Sequence, residues 1–119
     1  MEIKDLYDSI VEGVLSKKAK EVIEINLSDL DYFVCNYFII CHGDSNTQVK
    51  AIAESVEKNV KESLKLPAWH KEGLNNCQWV LLDYSDIVVH IFQKEFRDYY
   101  NLEEFWAHGR IQSIEDIKV

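Results

Sequence analysis

Proline, glycine and cysteine are scarce in this chain, with one, four and three of them among 119 residues. The four glycines form no glycine-rich run, and no lysine follows the corner His42-Gly43-Asp44-Ser45, so a phosphate-binding loop is not supported there. Three cysteines, Cys35, Cys41 and Cys77, cannot all pair with one another, which fits a reducing compartment. No C-x-x-C or H-E-x-x-H spacing occurs. Cys35 and Cys41 share a strand face but would stand about 20 Å apart at ~3.3 Å per residue, too far to hold one ion, so no metal or cofactor is expected. No apolar stretch is long enough to span a bilayer. The opening MEIKDLYDSI has neither the apolar stretch of a secretory signal nor the arginine-rich, acid-poor make-up of a transit peptide. A soluble, cytoplasmic protein is the expectation.

Basic residues are also few, 13 against 21 acidic ones, for a formal net charge of -8. Such a surface repels phosphate backbones, so little direct nucleic-acid contact is expected. A basic protein partner would instead be drawn in, chiefly through a faster association rate. What the chain does have is 47% hydrophobic residues in a length that suits one compact domain, residues 1–119.

Ile3, Leu6, Tyr7, Ile10, Val11, Val14 and Leu15 recur at helical spacing and predict a helix over residues 2–18. EVIEINL predicts a first strand, and DYFVCNYFIICHG a second that is apolar on both faces and therefore central. Ser45 and Gln48 match a capping box, and Val49, Ile52, Ala53, Val56, Val60 and Leu64 carry the helix on until Pro67 ends the run. PAWHKEGLNN reads as a polar connection, Trp79 to Phe92 as a hairpin, and Lys94 to Trp106 as an aromatic-rich helix. Ile111, Ile114 and Ile117 form only a weak pattern, a last turn or a frayed end. The expected fold is α/β or α+β, a single small mixed sheet flanked by helices.

The hairpin WVLLDYSDIVVHIF has two different faces. A two-residue turn at Tyr84 and Ser85 pairs Asp83 with Asp86, Leu81 with Val88 and Trp79 with His90. One face is then wholly aliphatic (Val80, Leu82, Ile87, Val89, Ile91) and belongs to the core. The other carries Trp79, Leu81, Asp83, Asp86, Val88, His90 and Phe92. A helix could cover this second face with the aspartates capping the turn. Alternatively, part of it is a docking surface, with aromatic anchors and an acidic rim for a basic partner. The tail FRDYYNLEEFW has more bulky rings than one narrow stripe can bury, and spacing alone does not assign them.

Chemistry fares poorly by comparison. Asp29-Leu30-Asp31 offers a D-x-D pair for magnesium, but nucleotidyltransferases place that pair after a glycine-serine turn, and here HGDSN comes later. Cys77 with His70 or His90 could form a nucleophile and base, yet nothing orients them, and a structural thiol is the better reading.

WVLLDYSDIVVHIF followed by FRDYYNLEEFW, with DYFVCNYFIICHGDSNTQVKAIAESV upstream and KEG at Lys71 to Gly73, resembles the ribosomal silencing factor (RsfS or Iojap-like) family over residues 3–106. The pattern is W-x-L-x-D-x-x-D-x-x-V-H, then R-x-x-Y-x-L-E-x-x-W. The resemblance implies a fold similar to a nucleotidyltransferase core without catalysis, and so not an enzyme. It implies binding to a large-subunit ribosomal protein at the intersubunit face, blocked subunit association, translation repressed under nutrient limitation, and a homodimer. The partner-binding residues it implies are Trp79, Leu81, Asp83 and Asp86 on the hairpin and Tyr99, Tyr100, Leu102, Glu103 and Trp106 in the tail. A nucleotidyltransferase-like enzyme or nucleotide-binding protein is the alternative. The chain departs from the family in having Ser85 where a glycine is common and Asp44 where a threonine is.

Overall fold

The periodicity of the first residues is realised in α1 (Ile3–Ser16), which buries Leu6, Ile10 and Val14 completely. Burying an aliphatic side chain of that size contributes about 1.5–3 kcal/mol relative to leaving it in water. The second helix, α2 (Asn46–Leu64), opens on Ser45, whose Oγ accepts the Gln48 N–H at 3.1 Å. The Gln48 side-chain oxygen accepts the Asp44 N–H at 2.7 Å, so the capping box closes one residue upstream of Ser45. α1 and α2 pack together, and Gly13 permits their close crossing: a Cβ there would lie 2.9 Å from the Val56 Cα.

These helices cover one face of a mixed sheet in this computed structural model, which describes residues 2–29, 35–106 and 109–114. The strands are β1 (Lys20–Asn26), β2 (Tyr37–Gly43), β3 (His70–Glu72), β4 (Trp79–Asp83), β5 (Ile87–Gln93) and β6 (Arg110–Ser113). Their order across the sheet is β3-β4-β5-β2-β1-β6. Only β2 and β5 run parallel among these neighbours; the other pairs are antiparallel. The fold is therefore α+β, a six-stranded mixed sheet flanked by helices. No helix among the described residues is long and apolar enough to cross a membrane.

The predicted aliphatic face of the hairpin is the helix-covered one: Val80, Leu82, Ile87, Val89 and Ile91 are all fully buried beneath α1 and α2. The register differs from prediction by two residues. Trp79 pairs with Phe92, Leu81 with His90 and Asp83 with Val88. The turn lies at Ser85–Asp86, with the Tyr84 N–H donating to the Ile87 carbonyl and the Asp86 N–H to the Tyr84 carbonyl, both at 2.9 Å. Burial of the Tyr84 ring and capture of the Ser85 N–H by Asp83 Oδ1 at 2.7 Å favour this later turn. A shift of two preserves the face of every side chain, which is why the two-faced reading survives it.

Four other segments depart from the sequence reading. β2 begins at Tyr37, with Cys35 and Asn36 lying outside the strand; residues 31–34, including Phe33, lie outside the described ones. The polar connection contains β3, whose side chains are all exposed, so it carried no apolar alternation to reveal it. Arg110 to Ser113 form an edge strand on β1 and not a last turn, because pairing with a distant strand decides their conformation; Ile117 lies outside the described residues. The tail is two short helices, α3 (Lys94–Tyr100) and α4 (Leu102–Phe105), separated by Asn101 in the left-handed region at φ 47°.

Ser85 also adopts a left-handed backbone, at φ 74°. Ser85→Gly should remove that penalty, and the greater freedom of glycine in the unfolded chain should offset part of the gain. The expected net effect is about 0.5 kcal/mol of added stability, seen as a melting temperature higher by roughly 2–4 °C. A lower melting temperature would place the strain elsewhere.

Candidate functional site

Among the described residues, no long helix lies over the sheet's other face. Ile25, Leu27, Cys35, Phe38, Ile40, Val88 and Phe92 form its buried cluster, and Ile23, Trp79, Leu81, Phe96, Leu102 and Trp106 border it half-buried. The segment α3–α4 is held there by Arg97, which is only 5% exposed. Its Nε and one terminal nitrogen donate to Glu103 Oε2 at 3.2 and 3.0 Å. The other terminal nitrogen reaches the Lys20 carbonyl at 3.3 Å and His42 Nδ1 at 2.8 Å. One guanidinium therefore links α3, α4, β1 and β2. Because Arg97 can only donate, His42 must accept through Nδ1, and both burial and the adjacent guanidinium hold the His42 pKa below its ordinary value.

Trp79 is set between rings. Phe92 stacks on it with centroids 5.0 Å apart and planes 24° from parallel, and Tyr100 lies 4.7 Å away, tilted by 46°. The Trp79 indole N–H donates to His90 Nδ1 at 3.1 Å. An indole nitrogen cannot accept, so the neutral His90 carries its proton on Nε2. That Nε2 is buried without a hydrogen-bond partner among the described residues, a situation that typically costs about 1–3 kcal/mol. Burial lowers the His90 pKa to about 3, so the ring stays neutral in its apolar setting. The Trp79 backbone is fixed by Gly73 at φ 86°, where a Cβ would fall 1.9 Å from the Trp79 carbonyl oxygen.

The predicted site residues divide into four groups. Trp79, Leu81, Leu102 and Trp106 are the half-buried margin of the second cluster, with Trp106 edge-on to Phe38 at 5.4 Å. Tyr100 is 47% exposed and Tyr99 80% exposed, with their rings in contact at 5.1 Å. Asp83 and Asp86 lie at the β4–β5 turn. The Asp83 carboxylate binds the Ser85 N–H, and the Asp86 carbonyl accepts from the Asn36 and Tyr37 N–H groups at 2.9 and 3.2 Å. Glu103 is the internal counter-ion of Arg97. The partner-binding set implied by the resemblance leaves out three residues of this face: Arg97, His90, which the sequence does place on the second face of the hairpin, and Phe105, which is 73% exposed beside Trp106. Arg97 and His90 stand inside the quoted pattern, so the signal for them was present. Between Lys94 and Trp106 four carboxylates (Glu95, Asp98, Glu103, Glu104) stand against two cations, which makes the margin of this face acidic.

The weighed catalytic groups do not converge. Asp29 pairs with Arg110 at 2.9 Å, and Asp31 lies outside the described residues. The Cys77 thiol donates to the Leu74 carbonyl at 3.6 Å within the helix-side core, whereas His90 faces the opposite side of the sheet. Burial pushes the Cys35 thiol up to about 11 and that of Cys41 up to about 12, which disfavours the reactive thiolate.

Fold and site together define a small α+β domain with one face sealed by two helices and the other presenting ordered aromatic rings with an acidic margin. Residues 1–119 match the family model described as "Ribosomal silencing factor during starvation". The chain is 36% identical over 117 residues to the ribosomal silencing factor RsfS of Halalkalibacterium halodurans, covering 98% of each. It is similar to a crystal structure of a Chromobacterium violaceum protein, with a TM-score of 0.84, 37% identity and coverage of 90% of this chain and 88% of that one. A Bacillus halodurans crystal structure matches with a TM-score of 0.77 and 39% identity, over 87% of this chain and 94% of that one. The chain belongs to the ribosomal silencing factor family, whose members are named for regulation and not for catalysis.

Two outcomes follow from the buried hydrogen bonds. The unfolded chain protonates histidine near 6.5, whereas folded His90 resists protonation until about pH 3, so acid favours unfolding across that window. Between pH 7.5 and 5.5 His90 should withdraw about 1.4 kcal/mol of stability in denaturant titrations, with His42 adding in the same direction. His90→Leu should flatten the profile; an unchanged slope would mean that His90 is already charged or solvated. Arg97→Lys keeps the charge but cannot reach three acceptors at once, and should lose about 1.5–3 kcal/mol in the same titration.

Proposed function

We propose that this protein binds a large-subunit ribosomal protein at the intersubunit face and blocks association of the small subunit, repressing translation under nutrient limitation. The observation that carries this reading is the aromatic margin of the second sheet face: Tyr99, Phe105 and Tyr100 stand in solvent beside rings that the domain itself packs. Large rings in such a setting are the residue types that dominate interface energetics. Membership of a family named for ribosome silencing supplies the partner class. A net charge of -8 favours a basic ribosomal protein over bare RNA and accelerates its capture.

The mechanism is occupancy. Trp79, Tyr99, Tyr100, Leu102 and Trp106 supply apolar contact, Asp83 and Asp86 steer a basic surface, and the bulk of the domain fills space that the small subunit needs. No bond-making is required, and such a factor acts in the cytoplasm, where ribosomes translate. The same exposed rings can bring two copies of the chain together, so the homodimer and the ribosome-bound form compete for one surface.

Purified ribosomal halves mixed with increasing amounts of the protein test the reading directly. Joining should fall as the protein saturates the large subunit, and undiminished joining at saturation would overturn the mechanism. Tyr99→Ala separates docking from folding because the ring is 80% exposed. It should weaken large-subunit binding about tenfold, equivalent to ~1.4 kcal/mol, in sedimentation assays. Its melting temperature should stay within about 2 °C of wild type.

A further inference from the structure

We infer that His90 is the positioning residue of the docking face: by accepting the Trp79 indole N–H it holds that ring in register with Phe92 and Tyr100 as a pre-ordered plate. This deepens the docking function proposed above and rests on it.

The geometry is specific. Trp79 has one polar side-chain atom, and the 3.1 Å bond to His90 Nδ1 occupies it. His90 is itself held edge-on by Phe38, with centroids 4.6 Å apart and planes at 74°, so the acceptor does not swing with the indole. The ring thus has a defined rotation about its side-chain bonds as well as a defined place between Phe92 and Tyr100. A partner meets carbon and π surface on Trp79 and no free donor, which suits an aliphatic stem or a cation lying on the ring. Ordering the anchor before contact removes part of the entropic cost of docking.

A second observation points the same way. His90 Nε2 is buried with no hydrogen-bond partner among the described residues, so the imidazole is a poor choice for stability alone. A leucine of similar bulk would remove the orphaned, fully buried N–H, at the cost of leaving the half-buried Trp79 indole N–H without its acceptor. A buried polar group that folding does not need is expected where function requires it. Stability and binding should therefore respond to substitution in opposite directions, which a purely structural histidine would not show.

The experiment compares wild type, His90→Leu, His90→Asn and His90→Gln. Three readings are taken: melting temperature, affinity for purified large ribosomal subunits, and the Trp79 indole N–H resonance, assigned with Trp69→Phe and Trp106→Phe backgrounds. Asparagine places an acceptor near the Nδ1 position, whereas glutamine carries it farther out. His90→Leu is expected to melt at or above the wild-type temperature, to move the Trp79 indole resonance and to bind about fivefold more weakly, with His90→Asn recovering most of the affinity. Wild-type affinity in His90→Leu, with the indole resonance moved, overturns the positioning role alone. Should His90→Leu fail to fold, the two amides decide: tighter binding by asparagine than glutamine supports the role, and equal binding overturns it. Wild-type protein that does not bind large subunits at all overturns the docking function, and this role with it.

Discussion

The guanidinium of Arg97 lies under α3 with donors directed at a carboxylate, a backbone carbonyl and an imidazole on three other elements. A charge so buried is tolerable only when its hydrogen bonds are met, so the acceptors and the arginine constrain each other. α3 has seven residues and α4 four, too few for either to be stable as an isolated helix. Their place on the sheet depends on this contact and on the half-buried rings around it. Tyr99, Tyr100 and Phe105 are displayed where they are because the segment that carries them is fixed from beneath.

The two faces of the sheet illustrate different uses of apolar surface. Under α1 and α2 the side chains are aliphatic and wholly buried, and that side serves stability. On the other side aromatic rings grade from the buried Phe92 through the half-buried Trp79 to the exposed Tyr99. In that gradient the inner rings hold the outer ones in place, and the outer ones leave apolar area in solvent.

The parts of the fold that local periodicity governs were legible in the sequence. Both long helices follow the spacing of their apolar residues, and the aliphatic face of the hairpin was read completely even though its register was two residues off. Misreadings fell where distant pairing or backbone conformation decides. β3 has only exposed side chains, β6 exists because β1 offers it an edge, and Asn101 breaks the tail through a left-handed backbone that residue type alone does not announce. The aromatic make-up of the site was visible as composition. Its wiring was not, because Arg97 to His42 and Trp79 to His90 are contacts that no spacing rule generates.

Among the described residues the sheet ends at both sides in stubs, three residues of β3 and four of β6, bearing Lys71 and Arg110 among their polar groups. Backbone pairing between molecules needs a longer, plainer border than these provide. Strand-by-strand growth from either border is thus disfavoured. A protein built this way can keep large rings in solvent, such as Tyr99 and Phe105, without offering a border along which fibres extend.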